Sequence, residues 1–259
     1  MRPVGFFFLF TFVAVTGGPA WASVDACPRN PDALGTSRVL TIAPNEFKKI
    51  GSMYYKQTLP LNDHEIVITF DDGPLPPYSN IILETLASQC VKATYFLIGR
   101  MARQYPSMVR RIYNAGHTIG THSENHPLAF RRLPIQRVKS EVEGGIVSVD
   151  AALGDPKALS PFFRIPGLGK TSAIDDYLAS KQLVNWSADV VADDWFRRIT
   201  AKTIVQRAIQ RLEVKGRGIL LLHVLARSTV RIRPRVWRRL WRICLCWSGT
   251  DAHGPPRRA

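Results

Sequence analysis

From residue 65 to residue 222 the chain alternates short runs rich in Val, Ile, Leu and Phe with longer segments of helical periodicity. Strands are expected at 65–70, 93–99, 117–121, 161–165, 183–188 and 218–222. The intervening helices are expected at 79–89, 101–114, 135–152, 172–181 and 201–215. The last of these shows the pattern clearly, with Ile204, Val205, Ala208, Ile209 and Leu212 at helical spacing. Gly99, Gly116, Gly154 and Gly216 punctuate segment ends. Connections of this length are crossovers rather than hairpins, so successive strands run parallel. The pattern admits an α/β sheet, either open or closed into a (β/α) barrel.

The residues able to do chemistry are not scattered over that map. Asp71 and Asp72 follow the first strand, and His122 and His126 follow the third in "THSENHP". Arg164 ends the fourth, Asp189 ends the fifth in "NWSADVV", and His223 ends the sixth in "ILLLH". All lie at carboxyl ends of expected parallel strands, the edge where such sheets and barrels assemble their sites. An Asp pair at the end of a buried strand needs partners, because an uncompensated buried carboxylate is strongly unfavourable.

Asp72, His122 and His126 together make a two-histidine, one-carboxylate set with a position left open, which suits a catalytic metal rather than a structural one. Zinc is the expected ion, and Co2+, Mn2+ or Fe2+ accept the same donors. Asp71 is then the expected base, taking a proton from water activated by the metal. Arg164 is placed to pair with it and keep it ionised. His223 is the expected general acid, with Asp189, assigned among the catalytic groups, or Asp194 holding its ring nitrogen.

The segments "TFDDGP", "HSENHP", "RIPG", "WSADVVADDW" and "LLLH" resemble, in order, the five motifs of the polysaccharide deacetylases, the carbohydrate esterase family 4 with the NodB homology domain. The resemblance spans about residues 64 to 223. It implies a deformed (β/α) barrel and metal-dependent removal of N- or O-acetyl groups from a glycan. Carried over, Asp71 resembles the family's base, Asp72, His122 and His126 its metal ligands, Arg164 the arginine beside the base, and His223 the acid. Pro166, Trp195 and Leu221 fall in motif positions assigned to substrate binding. Two departures stand out. Asp189 lies six residues before Trp195, two more than usual in the fourth motif, and Gly167 replaces the common aromatic after Pro166.

The flanks read differently. Arg2, the apolar run Val4–Val15 and Ala20-Trp21-Ala22 form a signal peptide over residues 1–22, which implies export to the periplasm, envelope or exterior. Residues 23–63 are a polar lead-in. No membrane span is expected after signal cleavage, and the protein is expected to act as a monomer on an acetylated glycan such as a chitin oligomer, peptidoglycan or an exopolysaccharide. An oxidising compartment permits a bridge between Cys27 and Cys90.

The formal net charge is +15, but residues 224–259 hold nine Arg, no Lys and one Asp, a net +8. Charge concentrated in one tail, without a basic–aromatic binding motif, argues against nucleic acid as partner. This tail replaces the helix and strand that follow the fifth motif in the family. Translated one base out of register, the codons of Val236–Ile243 give repeated aliphatic–alanine pairs compatible with a helix, as expected of a frameshift near His223. On that reading the last strand lacks a neighbour and the barrel is incomplete at its C-terminal edge. The leading function is a secreted metal-dependent deacetylase. The alternatives are a glycan-binding pseudoenzyme with a disrupted C-terminus and an amidohydrolase for a small non-sugar amide.

Overall fold

The structure is a computed structural model that describes Cys27, residues 30–196 and 198–224, and the backbone of 242–247. The expected signal peptide and most of the tail lie outside the described residues. The strands are β1 (Arg38–Thr41), β2 (Lys49–Ile50), β3 (Glu65–Asp71), β4 (Thr94–Leu97), β5 (Thr118–Thr121), β6 (Phe162–Phe163), β7 (Val184–Trp186), β8 (Val190–Val191), β9 (Gly218–His223) and β10 (Arg242–Trp247). The helices are α1 (Tyr78–Ser88), α2 (Gly99–Gln104), α3 (Pro106–Asn114), α4 (Ile135–Leu153), α5 (Ser172–Ser180) and α6 (Ala201–Lys215).

Every strand pairing among the described residues is parallel, and the main path runs β2-β7-β6-β5-β4-β3-β9-β8. Its two ends close on each other through the chain itself. β7 and β8 are halves of one run, Val184–Val191, yet β7 pairs with β6 while β8 pairs with β9. The sheet therefore curls into the expected deformed (β/α) barrel, with its ladder interrupted at the β7–β8 seam.

Alternation along each strand sorts side chains between two cores. On β3, Ile66 and Phe70 pack outward against Ile82, Leu86 and Ile112 of the helices. Val67 points inward to Phe96, Phe162, Trp186 and Ile219. Thr69 and Asp71 share that inward face, which brings a carboxylate to the mouth of the barrel. Leu40, Ile42, Ile50, Leu59 and Leu61 are buried in the same inner cluster, so the polar lead-in plugs the barrel rather than merely preceding it.

Three sequence expectations change here. One helix was expected over 101–114, and two form, because Pro106 brings no N–H and disfavours helical geometry at Tyr105, which sits at φ −131°, ψ 57°. β1 and β2 are too short and too polar in context to show a strand pattern. The tail expectation changes most. β9 is paired on both sides, with β3 from Ile66 to Asp71 and with β8 at Val190 and Val191. Arg242–Trp247 forms a strand inserted between β1 and the lower half of β3. The missing neighbour of β9 is supplied by the β8 half of the split run. Cys27 and Cys90 are joined by a disulfide, tying the lead-in to the segment after α1 across 63 residues.

Candidate active site

Asp71 is the last residue of β3, and its inward direction places it against Arg164, which follows β6. One Arg164 Nη1 donates to Asp71 Oδ1 at 2.7 Å and to Thr69 Oγ1 at 2.8 Å. Thr69 in turn donates to Leu220 O. The rest of the guanidinium spans the β7–β8 seam: Nε donates to Trp186 O and Nη2 to Ser187 O. Its Cζ lies 4.1 Å from the centre of the Phe96 ring. Arg164 is wholly buried and Asp71 is 2% exposed. Burial pushes the Asp71 carboxyl up, but Arg164, His122 and His223 outweigh it and hold the group below its ordinary range.

The metal-type donors converge beside this pair. One donor atom each from Asp72, His122 and His126 lies within 4.8 Å of the others. His122 Nδ1 is 2.7 Å from Arg164 O, a carbonyl that can only accept, so the neutral ring carries its proton there and presents a bare Nε2 to the site. That Nε2 is 3.6 Å from both Asp72 Oδ1 and Asp71 Oδ2. His126 Nε2 is 3.3 Å from Asp72 Oδ1. Burial, with His122 next to it, lowers the pKa of His126. Asp72 Oδ1 is buried without a hydrogen-bond partner among the described residues. An orphaned buried acceptor facing two imidazoles is an unfavourable arrangement that a divalent cation relieves, so the residues present fit a metal. Asp72 (φ 72°), Ser123 (φ 64°) and His126 (φ 57°) all adopt left-handed backbone, strain concentrated on the loops that carry these donors.

His223 ends β9 across the mouth. Asp194 Oδ1 is 2.8 Å from its Nδ1, and Asp194 Oδ2 accepts its backbone N–H at 2.7 Å. Burial lowers the imidazole pKa, but Asp194 raises it more, and the value stands at about 9. Trp195 sets its ring edge-on to His223 with centroids 5.4 Å apart.

Asp189 is not part of this arrangement. Its carboxylate accepts from Ser52 N, Thr58 Oγ1 and Ile219 N, so it pins the lead-in to the barrel and leaves His223 to Asp194. The two extra residues in the fourth motif left open which Asp serves His223, and the structure gives that place to Asp194. Of the positions expected to bind substrate, Trp195 is 45% exposed. Pro166 and Leu221 are buried, and Leu221 shares the inward face of β9 with His223. Thr69, which holds the Arg164 fork from below, carried no sequence signal, being one β-branched strand residue among several.

A family profile described as polysaccharide deacetylase matches residues 58–186. A peptidoglycan-N-acetylglucosamine deacetylase of Bacillus cereus is 32% identical over 167 residues, covering 63% of this chain and 58% of that one. A second from the same organism is 30% identical over 172 residues, covering 66% of this chain and 77% of that protein. Among solved structures, a Bdellovibrio bacteriovorus peptidoglycan deacetylase superposes with a TM-score of 0.71 at 26% identity, over 85% of this chain and 61% of that one. The chain thus spans about three-fifths of the first of these relatives and of the solved structure.

Proposed function

This chain belongs to the polysaccharide deacetylase family, and from that premise we propose that it is an exported, metal-dependent hydrolase that removes N-acetyl groups from amino sugars of an envelope glycan. The observation that carries the proposal is the pairing of two oppositely tuned groups across one donor set. Asp71 is held ionised by Arg164 on one side, and His223 is held protonated by Asp194 on the other. Separated acid and base functions of this kind are what amide hydrolysis requires.

Asp72, His122 and His126 would hold the cation, with zinc the expected ion for this nitrogen and oxygen set. When bound, it supplies Lewis-acid polarisation of the acetyl carbonyl and acidifies water near it. Asp71 takes the proton from the attacking water, and the Arg164 fork keeps its carboxylate aimed. The water oxygen bonds to the carbonyl carbon, the C–N bond breaks, and His223 gives its proton to the departing nitrogen. Acetate and a free amino sugar result. Trp195 offers an aromatic wall beside His223, and Leu221, on the inward face of β9 with His223, an apolar floor for the acetyl methyl. O-acetyl groups present the same carbonyl, so N- versus O-selectivity rests on how His223 meets the leaving atom.

Export is supported by the Cys27–Cys90 disulfide, which suits an oxidising compartment, and by relatives named for peptidoglycan. No helix among the described residues is long and apolar enough to cross a membrane. The test is acetate release from N-acetylated peptidoglycan and chitin oligomers by metal-loaded protein. Release abolished by Asp71→Asn supports the proposal. Stoichiometric metal with no release from any glycan overturns it in favour of a binding protein.

A further inference from the structure

The loop that carries the donor histidines is gripped from outside the pocket, by α4. Glu141, only 2% exposed, points from α4 at the loop. Its Oε2 accepts the Asn125 backbone N–H at 2.8 Å, and its Oε1 accepts Asn125 Nδ2 at 3.0 Å. Its own carbonyl accepts the Glu124 N–H at 2.9 Å. One turn further along α4, a Cβ built on Gly145 would lie 2.8 Å from the Ser123 carbonyl carbon and 2.9 Å from its oxygen, so only glycine lets the loop backbone lie this close. A further turn on, Ser148 Oγ donates to Glu124 Oε2, and Arg103 of α2 pairs with the other oxygen of that carboxylate. From the α2 side, Gly99 N donates to Ser123 O and Arg100 N to Glu124 O.

The stretch from Ser123 to Asn125 is therefore held at Ser123 O, at Glu124 N and O and at Asn125 N, and His126 comes next. His126 has a positive φ of 57°, and its own N–H is tied back to Ser123 Oγ at 3.0 Å. A non-glycine residue in left-handed backbone persists only where its surroundings over-determine it. His122 is fixed separately, its ring at Arg164 O and its backbone N–H at Leu97 O of β4. The His126 ring meets Asp72 and His122, themselves members of the donor set, so its position relative to them depends on the loop.

We propose that Glu141 is a positioning residue for the metal set: acting through Asn125, it holds His126 at the spacing from His122 and Asp72 that a divalent cation needs. α4 is then the element that tunes metal affinity without touching the metal. The inference rests on the proposed metal centre and deepens it. Groups that orient metal ligands from behind change affinity by about 10- to 100-fold when removed.

The experiment measures Zn2+ affinity by competition with a chromophoric chelator, and the visible absorption of the Co2+ form, for wild type, Glu141→Ala, Glu141→Gln and Asn125→Ala. Expected is an affinity about 10-fold or more weaker in Glu141→Ala and a smaller loss in Asn125→Ala, which keeps the backbone N–H bond to Glu141, with altered Co2+ bands in both reporting a displaced ligand. Glu141→Gln, which keeps an acceptor for Asn125, recovers most of the affinity. Glu141→Ala combined with Asn125→Ala is no weaker than Glu141→Ala alone, because the Asn125 side chain acts only through the Glu141 carboxylate. A purely structural role for Glu141 would lower the melting temperature and leave affinity and spectrum unchanged in folded protein, and that result overturns the inference. If Glu141→Ala fails to fold, the exposed Asn125→Ala decides: wild-type affinity there overturns it equally. Wild-type protein that takes up no divalent cation would instead sink the proposed function itself.

Discussion

Asp194 grips His223 twice, at the ring nitrogen from one carboxylate oxygen (2.8 Å) and at the backbone N–H from the other (2.7 Å). The double contact fixes both the ring's tautomer and its place at the end of β9. It also lifts the imidazole pKa from an ordinary 6.5 to about 9. The group is therefore protonated at neutral pH, the state a general acid needs.

The pH profile follows from that sign. In the proposed mechanism activity requires protonated His223, so it should fall as pH rises through the His223 value, and a cation in the site draws the limb to 9 or below. In Asp194→Asn the alkaline limb moves toward the ordinary histidine range and the maximal rate falls by about 10²-fold or more. Asp189→Asn should leave the limb in place and lower the melting temperature, because Asp189 holds Ser52, Thr58 and Ile219 instead. Rate profiles of the two variants distinguish the roles. A shifted limb in the Asp189 variant would reverse them.

The neighbouring aspartates should separate by phenotype. Asp71→Asn is expected to retain metal while losing about 10²-fold or more in acetate release, since a general base contributes about 10²–10⁴. Asp72→Asn is expected to lose metal affinity sharply, because its Oδ1 is the orphaned acceptor that faces both histidines. Metal analysis beside kinetics checks both, and exchanged phenotypes would reverse the assignment.

His117 should contribute to the pH dependence of stability on the acid side. Its ring is buried, Nδ1 accepts the Ala93 N–H at 3.1 Å, and burial followed by the Lys92 charge lowers its pKa to about 3. The unfolded chain binds this proton near pH 6.5 and the folded one does not, so the contribution is complete above pH 6.5 and shrinks as pH falls toward 3. At pH 4.5 the loss is about 2–3 kcal/mol relative to neutral pH. His117→Gln, which keeps an acceptor and cannot charge, should flatten that dependence in urea titrations at pH 4.5 and 7. An unchanged slope would mean that other groups govern the acid limb.

The disulfide should matter for stability and not for chemistry. Closing a 63-residue separation is worth about 4 kcal/mol in chain entropy, which for a domain of this size is a drop of about 10 °C in melting temperature on Cys27→Ser/Cys90→Ser. Metal-loaded activity at 25 °C should persist. Loss of activity without loss of stability would point to a role for the bridge at the site.

The strand in the tail carries a last expectation. Truncation after Val224 removes β10 and leaves β1 and the lower half of β3 with open edges. Unpaired edge groups beside the inner core favour association, so the shortened chain should be less soluble and melt lower. Equal solubility and melting temperature would show that the docked strand adds nothing to the barrel.

The barrel and most of its site were legible in the sequence, because both are written in local pattern. Strand and helix periods in alternation dictate parallel pairing, and polar residues at strand ends can only gather at one rim. Asp71, Asp72, His122, His126, Arg164 and His223 stand out that way as a candidate set, and the barrel gathers them at that rim. What tertiary structure decided was everything that depends on where a turn sends its side chain. The strand expected at 183–188 forms only as β7 (Val184–Trp186), and the chain beyond it pairs again as β8 (Val190–Val191) at the opposite end of the sheet, which gives β9 its second neighbour. The same break carries Asp189 away from His223 and delivers Asp194 to it, a choice between two carboxylates that spacing alone left open. Glu141 reads as one more polar residue on an amphipathic helix. Only packing against the loop at Asn125 turns it into a partner of the site, because a contact across 16 residues between a helix and a turn has no periodicity to announce it.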